Sequence, residues 1–170
     1  MDYRRRRLEE RVSHQIGLAL LTLLAALVQV NLLPMVLRAP LNLVLVAVVA
    51  WTMVRDADTG AAVAFYGGLT LDLLAGTPVG AHILPLLLVA AMTNVVIERF
   101  PAENWLLTLL LVGAGTPVYH LIVALFSGGA GNWLDWGAVV LPPALVVNLI
   151  LALPEYMVLQ WWNERRRIER

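Results

Sequence analysis

The sequence predicts an all-α membrane protein, a single polytopic domain (1–170) of six transmembrane helices with both termini in the cytoplasm. Three observations predict this fold class. Hydrophobic residues make up 60% of the chain, against roughly half in a soluble domain. They are collected into six long runs, which short polar turns separate, and arginines concentrate at the two ends. Once the runs are assigned to spans, no stretch long enough for a soluble domain remains.

Polar or helix-breaking residues bound each run, at 29–34, 55–58, 76–78, 98–104 and 127–137. The first run lacks a small-x-small cleavage motif, so we interpret it as a retained span rather than a signal peptide. The predicted spans are 16–33, 35–54, 60–74, 78–97, 105–126 and 139–159. The tails, 1–15 and 160–170, are then cytoplasmic, and the second is typical of a short amphipathic interfacial helix.

The arginine distribution sets the predicted topology. All twelve basic residues are arginines, and eleven of them lie in the tails or in the two turns on the same side as the tails. Only Arg38 falls on the opposite side, so the positive-inside rule places both termini in the cytoplasm. All six tryptophans then lie at span boundaries, as in an aromatic belt: Trp51, Trp105, Trp161 and Trp162 on the inner side, Trp133 and Trp136 on the outer side.

Composition and motifs favour a protein that is not an enzyme. There are no cysteines, which excludes thiolate metal or redox sites and disulfides. The sequence contains no HExxH, GxSxG or phosphate-cradling loop, so we predict no catalytic residues, no metal and no cofactor. The formal net charge is zero, and no nucleic-acid partner is expected.

The third run holds a stripe of small residues every fourth position, namely Gly60, Ala64, Gly68, Asp72 and Gly76. Such a stripe lets a second helix approach closely, and that helix belongs either to this chain or to a partner. Gly76 suits a helix C-cap, Thr77 an N-cap and Pro78 the first position of the next helix, which predicts a very tight helical hairpin.

Asp72 lies one turn before this break. We expect it to accept hydrogen bonds from the N–H groups that start span four and to pair with His82; direct contact with a partner or solute is the alternative. Of the other polar residues in spans, His120 is interpreted as a satisfied bundle histidine, and Glu155 as interfacial or paired with an arginine. Asn94 and Asn148 are interpreted as interhelical hydrogen-bonding residues.

The segment from Gly68 to His82 resembles the signature of the rod shape-determining MreD family, which has the pattern G-x-x-x-D-x-x-x-G-x-P-x-G-x-H. The matching residues are Gly68, Asp72, Gly76, Pro78, Gly80 and His82. The chain length, the single membrane domain and the short arginine-rich tails are also similar to that family. The motif covers a small part of the chain, and the hydropathy profile extends the likeness to nearly all of it.

The resemblance implies a non-enzymatic scaffold of the elongasome in the bacterial inner membrane, where it supports peptidoglycan synthesis and cell shape. The implied partners are MreC, through its transmembrane helix, and in the same assembly the actin-like MreB and the RodA–penicillin-binding-protein synthase, with membrane lipid around the bundle. Homodimerisation is left open. The expected contact face combines the stripe with the hairpin tip: Gly60, Ala64, Gly68, Asp72, Gly76, Pro78, Gly80 and His82.

The same resemblance supplies an alternative function. The family fold is similar to that of the substrate-binding S-components of energy-coupling-factor vitamin transporters. The alternative is therefore a small-ligand-binding subunit of such a transporter, with the glycine-rich loop Ser127–Trp136 as its lid.

Overall fold

A computed structural model of the protein describes residues 2–32, 40–100, 105–126 and 133–168, and within these ranges the chain forms helices and no strand. The six α-helices are α1 (Asp2–Leu27), α2 (Leu43–Val54), α3 (Ala57–Ala75), α4 (Ile83–Ile97), α5 (Trp105–Phe126) and α6 (Trp133–Ile168). A π-helical segment, Val28–Leu32, continues α1. The all-helical prediction is confirmed for the described residues.

Helix α2 is the centre of the bundle. It packs against each of the other five helices, with its closest association to α3. Val44, Leu45, Val46, Val48 and Val49 are at most 1% exposed, so the helix is buried on every side. A helix that is apolar all round is expected in such a position, because no face of it meets water.

Two side-chain amides cap the start of helix α2, one from a distant part of the chain and one from the residue just before the helix. Gln29, in the π-helical segment, accepts a hydrogen bond from the Val44 N–H (3.1 Å). Asn42 is the N-cap residue and accepts from the Leu45 N–H (2.9 Å). These contacts satisfy backbone donors that the first turn of a buried helix would otherwise leave without a partner.

The exterior of the bundle is strongly apolar. Two helical stretches, Trp105–Phe126 and Gly137–Trp162, are long and apolar enough to cross a membrane. Only 33% and 17% of their apolar windows are buried within the chain, so most of this surface faces outward. Exposed leucines also line α1, including Leu20 (61%) and Leu24 (59%). Such surfaces are typical of contact with lipid or with another protein.

The helix boundaries differ from the predicted spans in several places. Two helices are longer than their spans: α1 begins at Asp2 rather than at residue 16, and α6 begins at Trp133 rather than at residue 139. Residues 133–136 of the expected lid are therefore helical and not part of a loop. Helix α4 begins at Ile83 rather than at residue 78, because residues 79–82 form a turn. Residues 40–42 are not helical, so α2 is shorter than the run 35–54. Residues 160–168 continue α6 instead of forming a separate tail helix, since no glycine or proline interrupts the chain there.

Some predictions concern residues outside the described ranges. These are the start of span two with Arg38, the turn residues 101–104, the loop 127–132 of the expected lid, and the chain end at 169–170.

Candidate functional site: a carboxylate-closed helical hairpin

The junction of α3 and α4 is built around Asp72, which is 1% exposed. Helix α3 ends at Ala75, and Gly76 follows as its C-cap with φ of 65°, in the left-handed region that favours glycine. The N–H groups of Gly76 and Thr77 both donate to the Asp72 carbonyl, the second over 3.2 Å. The predicted C-cap at Gly76 is confirmed.

The side chain of Asp72 receives hydrogen bonds from three residues of the connection. Its Oδ1 accepts from the His82 N–H (2.8 Å), from His82 Nδ1 (2.8 Å) and from the Thr77 hydroxyl (3.2 Å). Its Oδ2 accepts from the Gly80 N–H (2.7 Å). Because a carboxylate only accepts, the His82 proton facing it sits on Nδ1. We call Asp72, Thr77, Gly80 and His82 the clamp.

The clamp confirms two predictions and corrects a third. Asp72 accepts N–H groups at the start of the fourth helix, as expected, and it pairs with His82. Thr77 is not an N-cap and Pro78 is not a first helical residue. A turn intervenes, in which the Ala81 N–H donates to the Pro78 carbonyl (3.0 Å), and Gly80 has φ of 107°. The connection is therefore longer than the very tight hairpin that the sequence predicted.

Gly68 lets α3 and α4 approach at backbone distance. A Cβ at this position would lie 2.6 Å from Ile83 Cα and 2.8 Å from Ile83 N, which is closer than packed atoms tolerate. The motif residues therefore have distinct structural roles: close approach at Gly68, capping at Gly76, turn formation at Pro78 and Gly80, and hydrogen bonding at Asp72 and His82.

The small-residue stripe is covered by helices of the same chain from Gly60 to Asp72, whereas Gly76 at its end is exposed. Gly60, Ala64, Gly68 and Asp72 are all buried. A Cβ at Gly60 would collide with Thr52 of α2, just as one at Gly68 would collide with α4. Of the two alternatives for the helix beside the stripe, the structure has the intramolecular one, so this part of the expected contact face is already occupied.

The hairpin presents exposed apolar side chains beyond the clamp. We define the hairpin tip as the exposed residues Leu73, Leu74, Pro78, Val79 and Leu84. Leu73 and Val79 have the largest exposed fractions, 69% and 70%. Of the expected contact-face residues near this turn, Gly76 and Pro78 are exposed and Gly80 is half-buried, whereas His82 is buried.

A second polar group crosses the bundle interior, and the sequence indicated only part of it. Asn148 of α6 accepts from the Asn42 N–H (2.9 Å) and donates to Thr116 Oγ1 on α5 (3.1 Å). All three residues are at most 1% exposed. The interhelical role of Asn148 is confirmed, whereas Asn94 bonds Glu98 within its own helix (2.9 Å) at an exposed position, so that expectation is wrong.

Aromatic contacts connect the clamp to this interior. The Tyr119 ring, which belongs to a residue only 4% exposed, lies 5.9 Å from the His82 ring and 5.3 Å from the His120 ring, measured between centroids. His120 Nε2 is buried without a hydrogen-bond partner, so the expectation of a satisfied histidine is wrong. Glu155 Oε2 is likewise buried and without a partner, contrary to the expected interfacial or arginine-paired position.

The site is suited to holding helices together. Within the described ranges, no group of three or more His, Cys, Asp or Glu side chains is arranged to hold a metal ion. Asp72 and His82 form an acid–imidazole pair of the kind that orients a general base, but both side chains bond the hairpin's own turn. Comparison of the chain with protein-family models, curated proteins and solved structures gave no match.

Proposed function

We propose that the chain is a non-enzymatic membrane scaffold of the MreD type. It crosses the bacterial inner membrane six times with both termini in the cytoplasm. It binds MreC and, through the elongasome, links cytoplasmic MreB filaments to the RodA–penicillin-binding-protein synthase. Two features support the membrane placement: helices long and apolar enough to span, and an exterior rich in exposed leucine, valine and isoleucine.

The observation that carries the proposal is the clamp. Every residue matching the family pattern takes part in forming one helical hairpin, from Gly68 to His82. The buried carboxylate of Asp72 holds the hairpin, and with it the exposed hairpin tip, in one shape. A scaffold needs a stable binding surface of this kind, and no reaction with a substrate. With the stripe from Gly60 to Asp72 covered, the exposed hairpin tip, which includes Pro78 of the expected face, is the surface proposed for MreC. Glycine and proline in the tip's turn give it a fixed shape to present.

Co-purification with MreC tests this proposal. Val79→Asp places a charge on the most exposed residue of the tip, and we expect it to abolish or sharply reduce the MreC recovered with the full-length protein. Leu125→Asp is the matched control, because Leu125 is also an exposed apolar residue (59%) and lies near the end of α5 that would be on the same side in the proposed topology. Equal recovery for the two variants would rule out the tip as the MreC contact.

One observation favours the alternative, a small-ligand-binding transporter subunit. His120 Nε2 is a buried hydrogen-bonding atom without a partner beside the Tyr119 ring, and ligand sites place such atoms in apolar surroundings. A vitamin-binding subunit would bind one B vitamin tightly when purified, and His120→Phe would abolish that binding. Absence of binding across the B vitamins, with MreC retained, would leave the scaffold as the better explanation.

A further inference from the structure

The last turns of α6 have an ordered exposed face. Met157 and Val158 are 66% and 59% exposed, Trp161 and Trp162 are 52% and 50% exposed, and Arg165 is also exposed. Residues four apart share a helix face and are separated by about 6 Å along the axis. The face therefore changes from aliphatic to aromatic to cationic over about 12 Å.

Arg165 is held in place on this face by a ring. Its guanidinium carbon lies 3.8 Å from the centroid of the Trp161 ring, in a cation–π contact. A stacked guanidinium keeps its edge N–H groups directed away from the ring, and these groups match the oxygens of a phosphate. The side chain that would receive a phosphate group is thus ordered before the group arrives, which lowers the entropic cost of binding.

The surrounding charge favours an anion. Residues 160–170 contain four arginines and two glutamates, so this segment is basic although the whole chain is neutral. The apolar run of α6 ends at Leu159, before Gln160 and the two tryptophans, which places Arg165 about 9 Å beyond it along the helix. In a bilayer that is the depth of the lipid phosphates, with Trp161 at the level where aromatic belts form.

We propose that this face of α6, from Met157 to Arg165, is a binding site for an anionic phospholipid. The lipid phosphate accepts hydrogen bonds from the Arg165 guanidinium. The acyl chains of the lipid lie along the aliphatic and aromatic residues of the face. The aliphatic part of the face distinguishes a lipid from a soluble phosphate, which would gain nothing from Met157 and Val158. The inference requires the membrane placement but not the binding of MreC.

Native mass spectrometry of the full-length protein in detergent tests the proposal. We expect phosphatidylglycerol to bind more tightly than phosphatidylcholine with the same acyl chains. Arg165→Gln should weaken phosphatidylglycerol binding about fivefold, the usual effect of one arginine at an anionic surface. Trp161→Leu should weaken it about threefold, because the ring no longer orders the guanidinium.

Arg99→Gln is the charge-matched control, since Arg99 lies in the turn after α4 and lacks the α6 face. It should leave the affinity unchanged. Equal affinities for the two lipids, or equal losses in Arg165→Gln and Arg99→Gln, would overturn the proposal. So would displacement of the lipid by excess inorganic phosphate, because the site would then be one for free phosphate. Arg165 is exposed, so the variant is expected to fold, and an unchanged Tm checks this.

Discussion

Replacing Asp72 by Asn tests whether the clamp holds the hairpin. The substitution keeps the size of the side chain but leaves one oxygen where the carboxylate offers two. In the less costly orientation, the amide oxygen keeps the three bonds of Oδ1, and the amide NH2 faces the Gly80 N–H. One charge-assisted bond is then lost, the half-buried Gly80 N–H is left without that partner, and three bonds become bonds to a neutral acceptor. Hydrogen bonds to charged groups are worth about 1.5–3 kcal/mol and neutral ones about 1 kcal/mol, so we expect a loss of at least about 3 kcal/mol.

Thermal unfolding of the detergent-solubilised protein, followed by tryptophan emission, measures this loss. For a chain of this size the expected decrease in Tm is about 10 °C. Asp58→Asn is the control, because Asp58 is an exposed carboxylate in the first turn of the same helix. It should cost about 0.5 kcal/mol through its interaction with the helix dipole. If both variants unfold at the same temperature, the hydrogen bonds of Asp72 do not stabilise the hairpin and the reasoning is refuted.

Three further substitutions have expected outcomes in the same unfolding assay. Gly68→Ala should destabilise the protein by about 1–3 kcal/mol because its methyl group meets the Ile83 backbone, whereas Gly17→Ala, with nothing within 4 Å of the added carbon, should be neutral or slightly stabilising. Gly76→Ala should cost about 1–2 kcal/mol because alanine is strained at positive φ, and an unchanged Tm would contradict this account of the C-cap. Asn148→Leu should cost about 2–3 kcal/mol by leaving buried donors and acceptors without partners, and an unchanged Tm would show that these bonds add nothing.

The parts of the site that sequence predicted are those determined by near neighbours. The C-cap at Gly76 and the pairing of Asp72 with His82 involve residues at most ten positions apart, and the residue types nearly determine the contacts. The start of α4 was misplaced, because Thr77-Pro78 is a good helix start when considered alone. The positive φ of Gly80 adds a turn and so moves the start of α4 to Ile83. The sequence alone does not show which φ a glycine adopts.

The contacts that sequence missed depend on which helices are neighbours. Asn42 and Asn148 are 106 positions apart, and nothing local indicates that α2 and α6 meet at these amides. Sequence does not show which helices are neighbours, and for that reason the small-residue stripe had two interpretations. The spacing of residues defines a helix face but not the helix that covers it. An isolated Asn within an apolar run was the one available signal, and it identified Asn148 correctly and Asn94 wrongly.

The local character of the clamp has a consequence for the order of assembly. All of its hydrogen bonds join residues within 72–82, so α3 and α4 suffice to complete it. During synthesis, the hairpin can therefore close as one unit before α5 and α6 leave the ribosome. Asn148 lies on α6, so its hydrogen bonds form only after the last helix is made. We therefore expect truncated nascent chains that end after α4 to have a protected hairpin, while the Asn42 N–H before α2 still lacks its bond to Asn148.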